Sequence, residues 1–131
     1  MDTLHLKQKI LDFTYEWYSF DCFQFANYLR LYFGQSPLTD CDVELYYSLI
    51  SESETNTKQA IKLFEYFLYS YTNPTQQPKN FTLVYLMFNQ HPCLGTWLEG
   101  DIFYLSNKGG SFNKSAIMSK YILSFHNYID T

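Results

Sequence analysis

Apolar residues follow two different rhythms along this chain. Up to about residue 70 they recur every three or four positions, the spacing of helices. Beyond about residue 80 they come in short runs bounded by turn residues, the habit of strands. Residues 3–17 read as a first helix, with Leu4, Ile10, Leu11 and Phe13 on a shared face and Tyr15 and Trp17 beyond. Ser19-Phe20-Asp21 opens a second helix. Asp21 has the side chain of an N-cap, and the helix runs to about Phe33, before Gly34 as its C′ residue. Phe25, Leu29, Tyr32 and Phe33 face its core side. A third helix, capped by Thr39 or Asp40, fits 41–50, and a fourth fits 57–70, with Ala60, Ile61, Phe64, Phe67 and Leu68 inward. Tyr71 to Pro78 reads as the break between halves.

Strands are expected over 81–88, 94–98 and 102–105, the latter two joined at Glu99-Gly100-Asp101. Lys108-Gly109-Gly110 marks another turn, a short helix covers 114–119, and a last strand covers 121–128. Helices first and an antiparallel sheet second is an α+β pattern. The 131 residues fit one domain, 1–131, with a helical half over about 1–72 and a sheet half over about 80–131.

Composition narrows the function classes. Aromatic residues are 21% of the chain, with 13 Tyr and 12 Phe, which argues against disorder and supplies both core filler and groove walls. The net charge is -4 and the basic residues form no cluster, so nucleic acid is not an expected partner. No apolar run is long enough for a membrane span. Met1-Asp2-Thr3-Leu4-His5 lacks the basic and apolar regions of a signal peptide. The expected location is therefore the cytoplasm as synthesised, with a virion or a non-classical export route as the other destinations. Cys22, Cys41 and Cys93 are irregularly spaced with no C-x-x-C pair, so neither a structural metal nor another cofactor is expected. For Cys41 the plain reading is a small buried hydrophobe.

Cys22 differs, because it stands where the second helix begins. A helix N-terminus lowers a thiol pKa, and a histidine beside it completes a thiolate–imidazolium pair. His91, on a strand in the second half, is the candidate base; the plain alternative is a turn residue before Pro92. His5 belongs to the solvated side of the first helix, and His126 reads as a tolerated near-terminal residue.

The segment Trp17-Tyr18-Ser19-Phe20-Asp21-Cys22-Phe23-Gln24-Phe25-Ala26, continued by Tyr28-Leu29-Arg30 and Gly34, resembles the nucleophile segment of NlpC-type cysteine peptidases, a papain-like family. Phage tail-associated cell-wall peptidases look most similar. Thr82-Leu83-Val84-Tyr85 resembles the strand before that family's histidine, and Leu94-Gly95-Thr96-Trp97-Leu98-Glu99-Gly100 resembles its histidine strand and turn. Ile102 to Gly110 is similar to the strand and glycine turn that follow. The resemblance covers about 15–34 and 81–112.

It implies a papain-like NlpC-type fold, with helices packed on a C-terminal antiparallel sheet. It also implies hydrolysis of amide bonds, with peptidoglycan stem peptides as the family's substrate, Cys22 as nucleophile and His91 as base. Two departures stand out. The family's histidine lies two residues before the strand glycine, where this chain has Cys93, so pairing His91 with Cys22 requires a bulge or shift. The family's third polar residue falls near Tyr104, with Ser106 and Asn107 as neighbouring substitutes. Tyr18 is a candidate oxyanion donor by its position before the nucleophile, and Trp17 and Asp21 flank the same place.

Three readings remain open at this level. One is a thiol hydrolase acting on a peptide or peptidoglycan fragment. The second is a catalytically inactive NlpC-like protein that binds or inhibits a protein partner. The third is an interaction module in which Cys22 is only core. The oligomeric state is not legible.

Overall fold

A computed structural model describes residues 1–14, 21–38, 57–106 and 109–129. These form three helices, α1 (Leu4–Lys9), α2 (Cys22–Tyr32) and α3 (Thr57–Tyr71). Six strands follow: β1 (Thr72–Thr75), β2 (Leu83–Phe88), β3 (His91–Leu98), β4 (Asp101–Ser106), β5 (Gly109–Lys114) and β6 (Ile122–Tyr128). They make one antiparallel sheet in the order β1-β6-β2-β3-β4-β5. The fold is α+β. The expected third helix over 41–50 lies outside the described residues.

α2 begins and ends by local chemistry. The Asp21 carboxylate accepts the backbone N–H groups of Phe23 at 3.0 Å and Gln24 at 3.3 Å, satisfying two of the donors that a helix start leaves free. At the other end Gln35 N–H donates to Arg30 O at 2.7 Å and Gly34 N–H to Leu31 O at 3.1 Å, the paired bonds of a Schellman motif. That motif places its C′ residue at φ +75°, which Gly34 adopts without a Cβ penalty.

Helices cover one face of the sheet. Phe23 and Ala26 of α2 pack with Phe64, Phe67 and Leu68 of α3 against Leu83, Tyr85 and Leu94. Phe25 and Leu29 pack with Leu6 and Ile10 against Leu98, Phe103 and Leu105. The opposite face carries Val84, Leu86, Cys93 and Ile102, covered by Met118 and Tyr121 from the segment between β5 and β6. Side chains alternate across each strand, so neighbouring positions feed different cores. Cys22 is packed against both the first and the third of these clusters.

Three expected elements came out differently. The first helix is six residues long, not fifteen; Leu6 and Ile10 turn inward while Leu4 and Leu11 are exposed. Residues 15–17 of that expectation lie outside the described part. The expected break at 71–78 contains β1, an edge strand holding Pro74, which an edge tolerates because one side needs no ladder donor. The short helix near 114–119 is a series of turns leading to a 3₁₀ turn over Ser119–Tyr121.

α1 is fastened to the far end of the sheet. Lys7 pairs with Asp101 at 2.7 Å. A Cβ added at Gly110 would stand 2.8 Å from Ile10 Cβ and 3.0 Å from the Ile10 carbonyl carbon. Backbone cannot retreat as a flexible side chain can. Gly110→Ala is therefore expected to cost about 1–3 kcal/mol, the range for overpacking. A urea unfolding midpoint indistinguishable from that of the native protein would show that the α1 exit does not bear on β5.

Candidate functional site

The site is where the start of α2 meets β3. Asp21 is fully buried and Cys22, the first helical residue, is half-buried. Opposite lies Cys93, buried, with its sulfur 3.9 Å from both Leu94 O and Leu105 O. Cys22 packs against the cluster that holds Cys93, and the two thiols are near enough to act on each other as hydrogen-bonding partners. Cys93 is the residue two before the strand glycine, Gly95. The position where the resemblance expects an imidazole beside the nucleophile thus holds a second thiol.

This changes the electrostatics of Cys22. Its pKa lies well above the ordinary thiol value. The hydrogen bond with Cys93 is the main cause, followed by burial and then by the proximity of Cys93 and of the Asp21 carboxylate. A backbone hydrogen bond at Leu94 works the other way without prevailing. The expected lowering at a helix start is overcome for a local reason. Asp21 takes the N–H groups of the first turn and sets a carboxylate beside the sulfur, so the cap that begins the helix also opposes a thiolate there.

β2 and β3 are joined by Asn89-Gln90, both with positive φ (48° and 67°), as a two-residue type I′ turn requires. His91 is the first residue after that turn, opposite Phe88, and is exposed. Its ring makes no hydrogen bond among the described residues. Alternation puts His91 and Cys93 on the same side of β3, two residues apart, about 7 Å along the strand. The structure thus brings Cys93 to Cys22 and leaves His91 at the hairpin tip.

Tyr104, at the third position of the expected site, belongs to β4 and packs against the cluster that holds Cys93. Its ring lies 5.5 Å from that of Phe88, and its hydroxyl accepts the Asn113 side-chain N–H at 3.1 Å. Ser106 is at the end of β4 and donates to Gly109 O at 3.4 Å, directed to the first residue of β5. Trp17, Tyr18, Cys41 and Asn107 lie outside the described residues. Three or more metal-ligating side chains gather nowhere among the described residues, and none of the described helices is long and apolar enough to cross a membrane.

His126 was underestimated by sequence reasoning. It is fully buried, with Thr72 Oγ1 3.1 Å from Nδ1 and Ser124 Oγ 2.7 Å from Nε2. The available signal was period two in the last strand, which puts residues 124, 126 and 128 on one face. Proximity to the end of the chain obscured it.

The two roles of Asp21 separate by substitution. Asp21→Asn keeps a capping side chain but removes the charge beside Cys22, so stability is expected to stay close to native while the Cys22 pKa falls. Asp21→Ala loses the cap as well and is expected to cost about 1–2 kcal/mol. Chemical denaturation and thiol titration of both variants check this; equal destabilisation by the two would contradict it.

Compared with family models, with curated proteins and with solved structures, the chain matches none.

Proposed function

We propose that this chain is a binding protein on an NlpC-like scaffold whose Cys22 site is non-hydrolytic, with a second thiol, Cys93, where a peptidase of that type carries its imidazole. The observation that carries the reading is the Cys22–Cys93 contact. A thiol hydrolase needs Cys22 as thiolate near neutral pH and a base to protonate the leaving group. Here Cys22 is held protonated by its neighbours. Cys93 cannot replace the imidazole, because a neutral thiol is a weak donor and a weak acceptor. A fold commonly outlives the chemistry it once supported, and function then rests on the surface around the former site. The partner class favoured by this reading is a peptide or protein segment.

The competing reading keeps Cys22 as nucleophile and His91 as base on an amide of a peptide or peptidoglycan fragment. Its support is the position of His91 on the same strand and side as Cys93. It requires the β2–β3 hairpin to shift by two residues, against the register that pairs Phe88 with His91 and Leu86 with Cys93. A two-residue slip keeps every side chain on its face, so the polarity pattern does not forbid it, but it would break the two-residue turn.

Alkylation separates the two. In the native protein at pH 6, Cys22 is expected to react with iodoacetamide more slowly than free cysteine. Cys93→His would place an imidazole against the Cys22 sulfur and is expected to raise that rate by about tenfold or more, one pKa unit being a tenfold change in thiolate. Rapid alkylation of native Cys22 at pH 6, with peptide or muropeptide turnover lost in both Cys22→Ala and His91→Ala, would overturn the proposal and establish the hydrolase.

A further inference from the structure

The two cysteines meet where the sheet is parted. Among the described residues, β3 and β4 pair only at Thr96–Phe103, Trp97–Ile102 and Leu98–Asp101. On their outer sides pairing continues: β2 holds β3 as far as His91, and β5 holds β4 as far as Ser106. Between β3 and β4 the ladder has stopped from Gly95 and Tyr104 toward the β2–β3 hairpin. Cys93 and Leu105 lie in this stretch, with Cys93 Sγ 3.9 Å from Leu105 O. α2 lies across the same two strands.

Cys22 fills the opening. It packs against the cluster of Phe23 and Leu94 on the helix-covered face and against the cluster of Leu86 and Cys93 on the opposite face. A side chain resting on a closed ladder would touch one face alone, because the paired strands separate the two. Cys22 is half-buried and Cys93 is buried, so a reagent from solvent meets Cys22 first. An outer thiol backed by an inner one is the arrangement in which the second thiol resolves what happens at the first.

We propose that Cys22 and Cys93 form a reversible disulfide, made by a hydroperoxide, that fastens the start of α2 to β3. This rests on the reading of Cys22 as a non-hydrolytic site and supplies that site with a regulation. In the first step the Cys22 sulfur attacks the hydroperoxide and the oxygen–oxygen bond breaks. Cys22 becomes a sulfenic acid, and the alcohol leaves with the thiol proton. In the second step the Cys93 sulfur attacks the Cys22 sulfur. The sulfur–oxygen bond breaks, water leaves with the Cys93 proton, and the sulfur–sulfur bond forms. Two thiols are oxidised by two electrons, and one hydroperoxide is reduced to an alcohol and water. A dithiol reverses the bond by exchange.

The surroundings set the pace of each step. Burial and the Asp21 carboxylate both disfavour a Cys22 thiolate, so the first step is slow and answers sustained oxidation. The reduced pair has no stabilised thiolate, the feature that makes a disulfide strongly oxidising, so the bond persists once made. Cys93, already against the Cys22 sulfur, takes the sulfenic acid before a second oxidant arrives, which keeps the oxidation on its reversible rung. The bridge closes a loop of about seventy residues, a span over which a cross-link restricts the unfolded chain strongly.

Hydrogen peroxide at about pH 8, followed by peptide mapping without reduction, tests this on the native protein. A Cys22–Cys93 linked peptide is expected, reversed by dithiothreitol, and the linked protein is expected to melt about 5 °C or more above the reduced one. In Cys93→Ala no link forms, and Cys22 is expected to proceed to the sulfinic acid. The proposal is overturned if the native protein forms no Cys22–Cys93 link, or if Cys41 takes the place of either partner. It is equally overturned if the linked protein melts no higher than the reduced one, since the bond would then fasten nothing. Such a failure with Cys22 still slow to alkylate leaves the non-hydrolytic reading standing; rapid alkylation of Cys22 at pH 6 sinks that reading whether or not the link forms.

Discussion

The start of α2 is the constraint on which the rest of the structure depends. A buried carboxylate, Asp21, accepts two backbone donors and thereby fixes the residue at which the helix begins. Every later contact of α2 inherits that phase. Phe23 and Ala26 turn to one core, Phe25 and Leu29 to another, and Cys22 is set against β3. Shifting the start by one residue would rotate all of these by about 100° and dissolve both clusters. The Schellman motif at Gly34 fixes the other end, so the length of α2 is set by backbone chemistry at both termini.

That same cap decides the character of the site. Helix starts favour anions, and a cysteine at the first helical position is usually read as a thiolate in waiting. Here the anion at the helix start is the cap itself. Cys22 then meets a second thiol across the gap to β3 and is held neutral. Local structure, packing and reactivity follow in sequence from one carboxylate and one substitution of type, cysteine where an imidazole was expected.

Much of the architecture was legible because single residues carried it. Asp21 and Gly34 bracketed α2 through capping chemistry, and Phe64, Phe67 and Leu68 gave the inward stripe of α3. Glu99-Gly100 marked the β3–β4 turn, where both residues have positive φ. β1 was not legible, because Thr72-Asn73-Pro74-Thr75 has the composition of a loop and becomes a strand only through its pairing with β6. The length of α1 was overread, since Leu4 and Leu11 match a helical period without having anything to pack on.

For the site, the sequence flagged Cys93 as the occupant of the histidine position, and the fold puts that residue beside Cys22. It could not show that the two thiols meet, because that depends on how far β3 stands from the helix start. The Ser124–His126–Thr72 array was invisible for a similar reason: Thr72 joins it from 54 residues away in the chain. The measurement that tests the central claim most directly is a titration of thiolate ultraviolet absorbance in native protein and in Cys93→Ala. Native Cys22 is expected to ionise only above the ordinary thiol range of about 8–9, and removing the Cys93 thiol is expected to lower its pKa. Ionisation of Cys22 below about pH 7, unmoved by Cys93→Ala, would contradict it.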